Sequence, residues 1–382
     1  MKRLYWLMFP ILIMILVLCG AKERSVKEEF EKLLKGKFSE NEPGGIVLVQ
    51  KDSKIVFLKG YGVSDLETKE RITPDTIFNT GSISKTFVAN AILILQEEKL
   101  LSVKDPLYEY FPDFENKEIA KKIRIEHLLS HTSGLPDLRD VENNREFYLI
   151  AKDKENFEPL KKVKSLLFEP GEKFEYSNPA YNGLALIIEK ITHKRWQDYV
   201  VRKIFKPAGM THSVITDGSF PDKGVAHAYV YTYIKGRKKF KEYDYGEFPT
   251  FAAAGNGGIW CSVLDLAKYE LAIRNHVFLS KESIERSRTV FRPKNWRDSV
   301  PPKIGYAWFI REKNAKDNKY GVKIVYHTGS QGGFRAFFIS VPEKGIIFIG
   351  LFNRPVKIFS KIMDKGLWIL KKHNWLEPRG KI

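Results

Sequence analysis

Two cysteines in 382 residues are too few for a disulfide framework, and no Cys/His cluster has the spacing of a zinc site. No internal repeat and no low-complexity linker interrupts the chain. Acidic residues fall short of basic ones, 46 Asp+Glu against 64 Lys+Arg, which leaves a formal charge of +18. Apolar content is ample: 43% hydrophobic and 13% aromatic residues, beside 29% charged, exclude intrinsic disorder and a collagen-like repeat and allow a buried core. The length fits one large enzyme fold or two modest ones.

The positive excess raises the question of a nucleic-acid partner. Short basic runs occur at Lys161-Lys162-Val163-Lys164 and Arg237-Lys238-Lys239-Phe240-Lys241. No basic helix, zinc finger or RNA-binding aromatic signature accompanies them, so no specific nucleic acid is expected. Scattered charge of this kind reads as a solvated surface, whose field would attract an anionic membrane or cell-wall surface.

Lys2 and Arg3 precede an uncharged apolar stretch from Leu4 to Ala21, followed at once by Lys22, Glu23 and Arg24. A positive head before an apolar run is an export signal, so residues 1–21 are set apart from the fold and the rest is expected in the cell envelope or periplasm. Leu16-Val17-Leu18-Cys19-Gly20 resembles a lipobox, which would make Cys19 a lipidated anchor, although Leu18 stands where a small residue is usual. Cleavage near Ala21 and retention as an N-terminal membrane anchor are the alternatives. Cys261 is expected to be a buried packing residue.

Ser25 is expected to cap an amphipathic helix whose apolar face is Val26, Phe30, Leu33 and Leu34. Gly45 to Gln50 and Lys54 to Lys59 read as a hairpin turning at Asp52-Ser53. Near the other end, Lys323 to Thr328, Phe334 to Val341 and Ile346 to Phe352 read as strands, before a closing helix from about Val356 to Lys372. The pattern predicts an α/β (α+β) fold, with one antiparallel sheet built from both termini and flanked by helices. A single catalytic domain over 22–375 is expected, its α/β lobe at about 22–87 and 251–375, and a mostly helical lobe at about 88–250. The helical lobe would hold a helix at Tyr181 to Thr192 and a hairpin from Ala228 to Tyr245 turning near Gly236.

Ser82 is the only serine with a lysine three residues on, and Lys85 would share its face of a helix. A serine hydroxyl needs a neighbouring base, which an amine of depressed pKa provides. Alone, the pair reads equally well as a helix start beside a solvated lysine. Two further elements follow in order: Tyr176-Ser177-Asn178 ahead of a helix, and His327-Thr328-Gly329 at the end of a strand before Ser330.

Ser-x-x-Lys, Tyr-x-Asn and (Lys/His)-Thr-Gly in this order resemble the penicillin-recognising serine hydrolases. The Tyr-x-Asn branch of class C β-lactamases, D-Ala-D-Ala carboxypeptidases, D-amino-acid amidases and related esterases looks most similar. Leu128-Leu129-Ser130-His131-Thr132-Ser133-Gly134-Leu135 and Gly255-Asn256-Gly257-Gly258-Ile259-Trp260 are further family-like stretches. The resemblance, from about Gly45 to Phe352, implies a β-lactamase/DD-peptidase-like fold and an acyl-enzyme at Ser82, without metal or organic cofactor. Lys85 would be the proton-transfer partner and Tyr176 a second acid/base. A tyrosine of ordinary pKa, about 10, is a poor base at pH 7, so this role asks for cationic neighbours, which Lys85 and His327 would provide.

The resemblance also makes Asn178, His327, Thr328, Gly329 and Ser330 substrate-binding, with the N–H groups of Ser82 and Ser330 as an oxyanion hole. Asn178 has a rival reading as the N-cap before Pro179. His327 stands where class C β-lactamases carry Lys, and its charge would vary near neutral pH. His131 is expected to pack a turn below the helical lobe. D-alanyl peptides of peptidoglycan, β-lactams and small esters are the implied substrates. A non-catalytic or slowly acylated penicillin-binding sensor or scaffold of the same fold is the alternative.

Overall fold

Strands from both ends of the chain pair in one six-stranded antiparallel sheet. Across the sheet they run Lys54–Tyr61, Gly45–Lys51, Ile346–Phe352, Phe334–Val341, Ile324–Gln331 and Phe309–Arg311. The structure, a computed structural model, describes residues 22–221, 223–243, 252–298 and 303–377. The apolar stretch 4–21 and Cys19 lie outside them, and among the described residues no helix is long and apolar enough to cross a membrane.

The central strands are apolar on both faces because helices cover both. On one face, Val26, Phe30 and Leu34 from the helix at 22–34 meet Phe348, Leu367 and Leu370, the last two from the closing helix Phe359–Lys372. Gly366 lets that helix come close, since a Cβ there would lie 2.4 Å from the Phe348 ring. On the other face, Ile46, Leu48, Ile347 and Ile349 join the larger core, which includes helix Ser84–Glu97. Every residue of that helix from Ser84 to Leu95 is buried, the polar Ser84, Lys85, Thr86 and Asn90 included.

Several boundaries depart from expectation. Residues 22–24 are already helical, so Ser25 lies inside its helix and does not cap it. The closing helix starts at Phe359 because Val356 belongs to the preceding loop. The strand expected to end at Thr328 continues to Gln331, paired with Phe334–Val341 throughout that stretch. The expected hairpin in the middle of the chain forms as Tyr229–Ile234 and Arg237–Glu242, turning at Lys235 (φ 48°) and Gly236 (φ 74°), the left-handed pair that a tight two-residue turn requires. Tyr245 lies outside the described residues. A small sheet of Phe78–Asn79, Ile259–Cys261 and Ser213–Ile215 was not expected, and Cys261 is buried within it.

Candidate active site

Ser82 sits in the single 3-10 turn Gly81–Ile83 that leads into helix Ser84–Glu97, so one helical turn carries its hydroxyl to the Lys85 amine. Lys85 Nζ lies 3.0 Å from Ser82 Oγ and donates to the Asn256 carbonyl at 2.8 Å. The lysine is fully buried, with the rings of Tyr176 and Tyr181 at 5.1 and 5.7 Å from Nζ. Burial, and then the positive charge of Arg139, push its pKa well below the usual value. Among the described residues no carboxylate lies within ion-pair distance to oppose this. The resulting amine is biased towards the neutral form a base needs.

Tyr176 reaches the same point from the helical side, its phenol near enough to Ser82 for that hydroxyl to act on its titration. Burial raises its pKa, and the nearby Ser82 hydroxyl only partly offsets that. The expected cationic field is not there: Lys85 and His327 are themselves driven towards neutrality, so Tyr176 keeps its proton at neutral pH. The rival reading of Asn178 also changes. Ser177 is the N-cap of helix Asn178–Thr192, its hydroxyl accepting from the Ala180 N–H at 3.2 Å, so Asn178 is the first helical residue and its side chain is not engaged in capping.

His327, Thr328, Gly329 and Ser330 lie on the strand Ile324–Gln331. Phe309–Arg311 covers that strand only as far as Tyr326. From His327 on, no described strand pairs with the second edge, and the Ser82 turn packs over the face of this end of the strand. The approach is close: a Cβ on Gly329 would lie 2.0 Å from the Thr80 carbonyl oxygen, and one on Gly81 (φ +52°) would lie 2.6 Å from the Ser330 nitrogen. Only glycine fits at either place. Ser330 is exposed and Thr328 partly so, which leaves this end of the strand open to an incoming molecule.

His327 does not titrate near neutrality as expected. Burial, then the neighbouring Lys85, push its pKa down to about 3. Its Nδ1 lies 2.6 Å from the Thr328 carbonyl, which can only accept, so Nδ1 carries the proton. Nε2 is then a bare acceptor, buried and without a partner among the described residues. Among the described residues no cluster of three His, Cys, Asp or Glu is arranged to hold a metal.

The Beta-lactamase family profile matches residues 26–370. The chain belongs to that family. Its fold, α/β with helices on an antiparallel sheet, is the one its solved relatives share. An octameric penicillin-binding protein homologue from Pyrococcus abyssi has a TM-score of 0.76 at 30% identity, over 92% of this chain and 78% of that one. A penicillin-binding protein of Bacillus subtilis (strain 168) is 27% identical over 318 residues, 81% of this chain and 68% of its own length. Protein flp of Staphylococcus aureus (strain COL) is 25% identical over 333 residues, 84% of this chain. The chain spans only 62% of that relative's length.

The family is one of serine hydrolases, and the site holds groups that sequence reasoning passed over. Arg139, whose guanidinium is bound by Asp137 and Asn156 and is almost wholly buried, sends its charge to Lys85 from a loop that reads as solvated. Asp153 is buried and accepts from Asn182 Nδ2 (2.6 Å), Gly255 N–H (2.8 Å) and Trp196 Nε1 (2.9 Å). The Gly255-Asn256-Gly257 stretch was visible as family-like, but the use of the Asn256 backbone carbonyl was not.

Proposed function

We propose that the protein is an exported serine hydrolase that forms an acyl-enzyme at Ser82 on ester or amide substrates. The observation that carries this reading is the 3.0 Å contact between Ser82 Oγ and a buried amine biased towards neutrality. With Lys85 neutral, one N–H stays on the Asn256 carbonyl and the lone pair is free to take the Ser82 proton. The Ser82 oxygen then attacks the substrate carbonyl carbon, and the developing oxyanion is received by the N–H groups of Ser82 and Ser330. Donors of this kind contribute about 3 to 4 kcal/mol each to the transition state. Tyr176, still protonated, gives its proton to the leaving amine or alcohol and recovers one from the Lys85 ammonium. Water repeats the sequence in reverse and frees the acid.

Thr328 and Gly329 lie beyond the paired part of the strand's second edge, where an acyl group can lie, and Asn178 would meet the substrate amide. His327, neutral and with an acceptor on Nε2, offers no fixed cation for a substrate carboxylate, and the Arg139 guanidinium is already bound by Asp137. This favours uncharged esters and amides over D-alanyl peptides and β-lactams, both of which bear a carboxylate. The penicillin-binding names of two relatives support a serine that β-lactams also acylate. Export rests on Lys2, Arg3 and the apolar stretch after them.

The test is a fluorophosphonate label located by mass spectrometry, with a turnover panel of p-nitrophenyl ester, D-Ala-D-Ala peptide and a chromogenic cephalosporin. Label on Ser82 and ester turnover lost in Ser82→Ala are expected. No label, or equal label in Ser82→Ala, overturns the reading.

A further inference from the structure

Tyr176 is held from both sides by one residue. The helix Ile125–Leu129 ends at Ser130, and the next residue, His131, turns the chain with φ +56°. Glycine, or failing that asparagine, is usual where a helix ends this way, and a larger side chain there costs about 1 to 2 kcal/mol. The left-handed turn directs two acceptors of His131 to one neighbouring segment. Its backbone carbonyl accepts from the Glu175 N–H at 2.9 Å, and its ring Nδ1 accepts from the Ser177 N–H at 3.1 Å. Tyr176 lies between those two amides. The imidazole also stacks on the Tyr176 ring, with centroids 4.2 Å apart and planes at 29°.

We propose that His131 is a positioning residue for Tyr176, a clamp that brackets the tyrosine's backbone and covers its ring so that the phenol stays on Ser82. Its functional meaning rests on the hydrolase reading given above. Backbone strain retained at a functional site has a use when the strained residue makes contacts no easier residue makes. Here glycine would supply the turn and the carbonyl, but not the ring acceptor or the stack. The tautomer follows from the geometry. Nδ1 must be bare to accept, so the proton sits on Nε2, which is buried with no partner among the described residues. Among the described residues the ring's hydrogen bond is therefore the one at Nδ1, to the segment that carries Tyr176.

Asparagine tolerates the left-handed conformation and carries an amide oxygen near the place of Nδ1, whereas alanine carries no side-chain acceptor. His131→Ala should lower kcat for p-nitrophenyl ester by about 100-fold with KM little changed, the loss expected for a misplaced reacting group. His131→Asn should recover at least about tenfold of that. Amide hydrogen exchange gives a readout independent of activity. In His131→Ala the Ser177 amide should exchange faster while Glu175, bonded to the backbone carbonyl, stays protected; His131→Asn should restore Ser177. Equal kcat in the two variants, or unchanged Ser177 exchange in His131→Ala, overturns the clamp. If wild-type Ser82 takes no label, the hydrolase reading fails, and the exchange pattern still decides whether His131 holds this segment.

Discussion

The Lys85 amine lies 2.8 Å from the carbonyl oxygen of Asn256, and that carbonyl is itself held in place. Asn256 Nδ2 donates to Asn182 Oδ1 at 3.1 Å and to the Ala253 carbonyl at 3.2 Å, and Asn182 donates in turn to the buried carboxylate of Asp153. The direction of one N–H of the base is therefore set by a line of amides that ends on a carboxylate in the helical part. Burial and the charge of Arg139 push the amine's pKa down. The Asn256 carbonyl also aims its lone pair.

An arginine at position 85 stays charged however deeply it is buried. Lys85→Arg is therefore expected to be no better than Lys85→Ala, both lowering the rate of Ser82 labelling by about 100- to 10,000-fold, the range for loss of a positioned base. Stopped-time labelling with fluorophosphonate measures this. Retention of labelling in Lys85→Arg would show that the residue acts as a cation and not as a base.

Gly81→Ala places a Cβ 2.6 Å from the Ser330 nitrogen and puts alanine at a φ of +52°. Gly209, at φ +68° with nothing within 4 Å, carries the same backbone cost and no clash. Gly209→Ala should lose about 1 to 2 kcal/mol in urea unfolding, and Gly81→Ala that much plus the cost of its clash. Only Gly81→Ala should slow Ser82 labelling, because only there must the serine turn and the Ser330 strand move apart. Equal labelling in the two variants would mean that the approach of strand to turn is not needed.

How much of this was legible in the chain follows from distance along it. Ser82 and Lys85 are one turn apart, and their meeting is a property of any helix. The central strands were readable as apolar runs bounded by turns, and their ends as a pairing of the two termini. Strand Ile324–Gln331 runs past the predicted end because Gly329, Ser330 and Gln331 are polar or small, and their place in the sheet comes from pairing with Phe334–Ala336. The strands Phe78–Asn79, Ile259–Cys261 and Ser213–Ile215, two or three residues each, are too short for alternation to register. The site's electrostatics were the least readable part. The lowered pKa values of Lys85 and His327 follow chiefly from burial, which no local pattern discloses, and Arg139 stands 54 positions from the lysine it acts on.

Glu270 is buried and bound on every side. Arg288 grips both its oxygens, at 3.0 and 2.6 Å, while Arg274 Nε and Ser340 Oγ reach Oε1 at 3.0 and 2.5 Å. Burial alone would raise its pKa; the two guanidiniums outweigh it and take the group down to about 2. The cluster ties helix Val263–Arg274 to strand Phe334–Val341. Glu270→Ala leaves two guanidiniums without their counter-charge and should cost about 3 to 5 kcal/mol in denaturant unfolding. Labelling of Ser82 per folded molecule should be unchanged at low temperature, which separates a structural loss from a catalytic one.

Between pH 5 and 6 the fold and the unfolded chain hold protons differently. His127, His131 and His327 are all depressed chiefly by burial, to about 4 for His127 and about 3 for His327, so the fold keeps them neutral where the unfolded chain protonates them. Each makes stability fall as pH falls through the ordinary histidine range. Asp153 acts in the opposite sense: burial raises it from 3.8 to about 7, so the fold holds a proton there that the unfolded chain has released. Its contribution is greatest below the unfolded value and is lost as pH rises towards 7. Each such group changes the slope by about 1.4 kcal/mol per pH unit. Asp153→Asn should therefore steepen the loss of stability between pH 6 and 5 by one proton's worth, and His127→Gln should flatten it by one. Urea unfolding at closely spaced pH values reads both slopes. The comparison is between variants, so any contribution from Lys85 cancels. If Asp153→Asn leaves the slope where it was, Asp153 is ionised in the fold throughout, and its three N–H donors outweigh its burial.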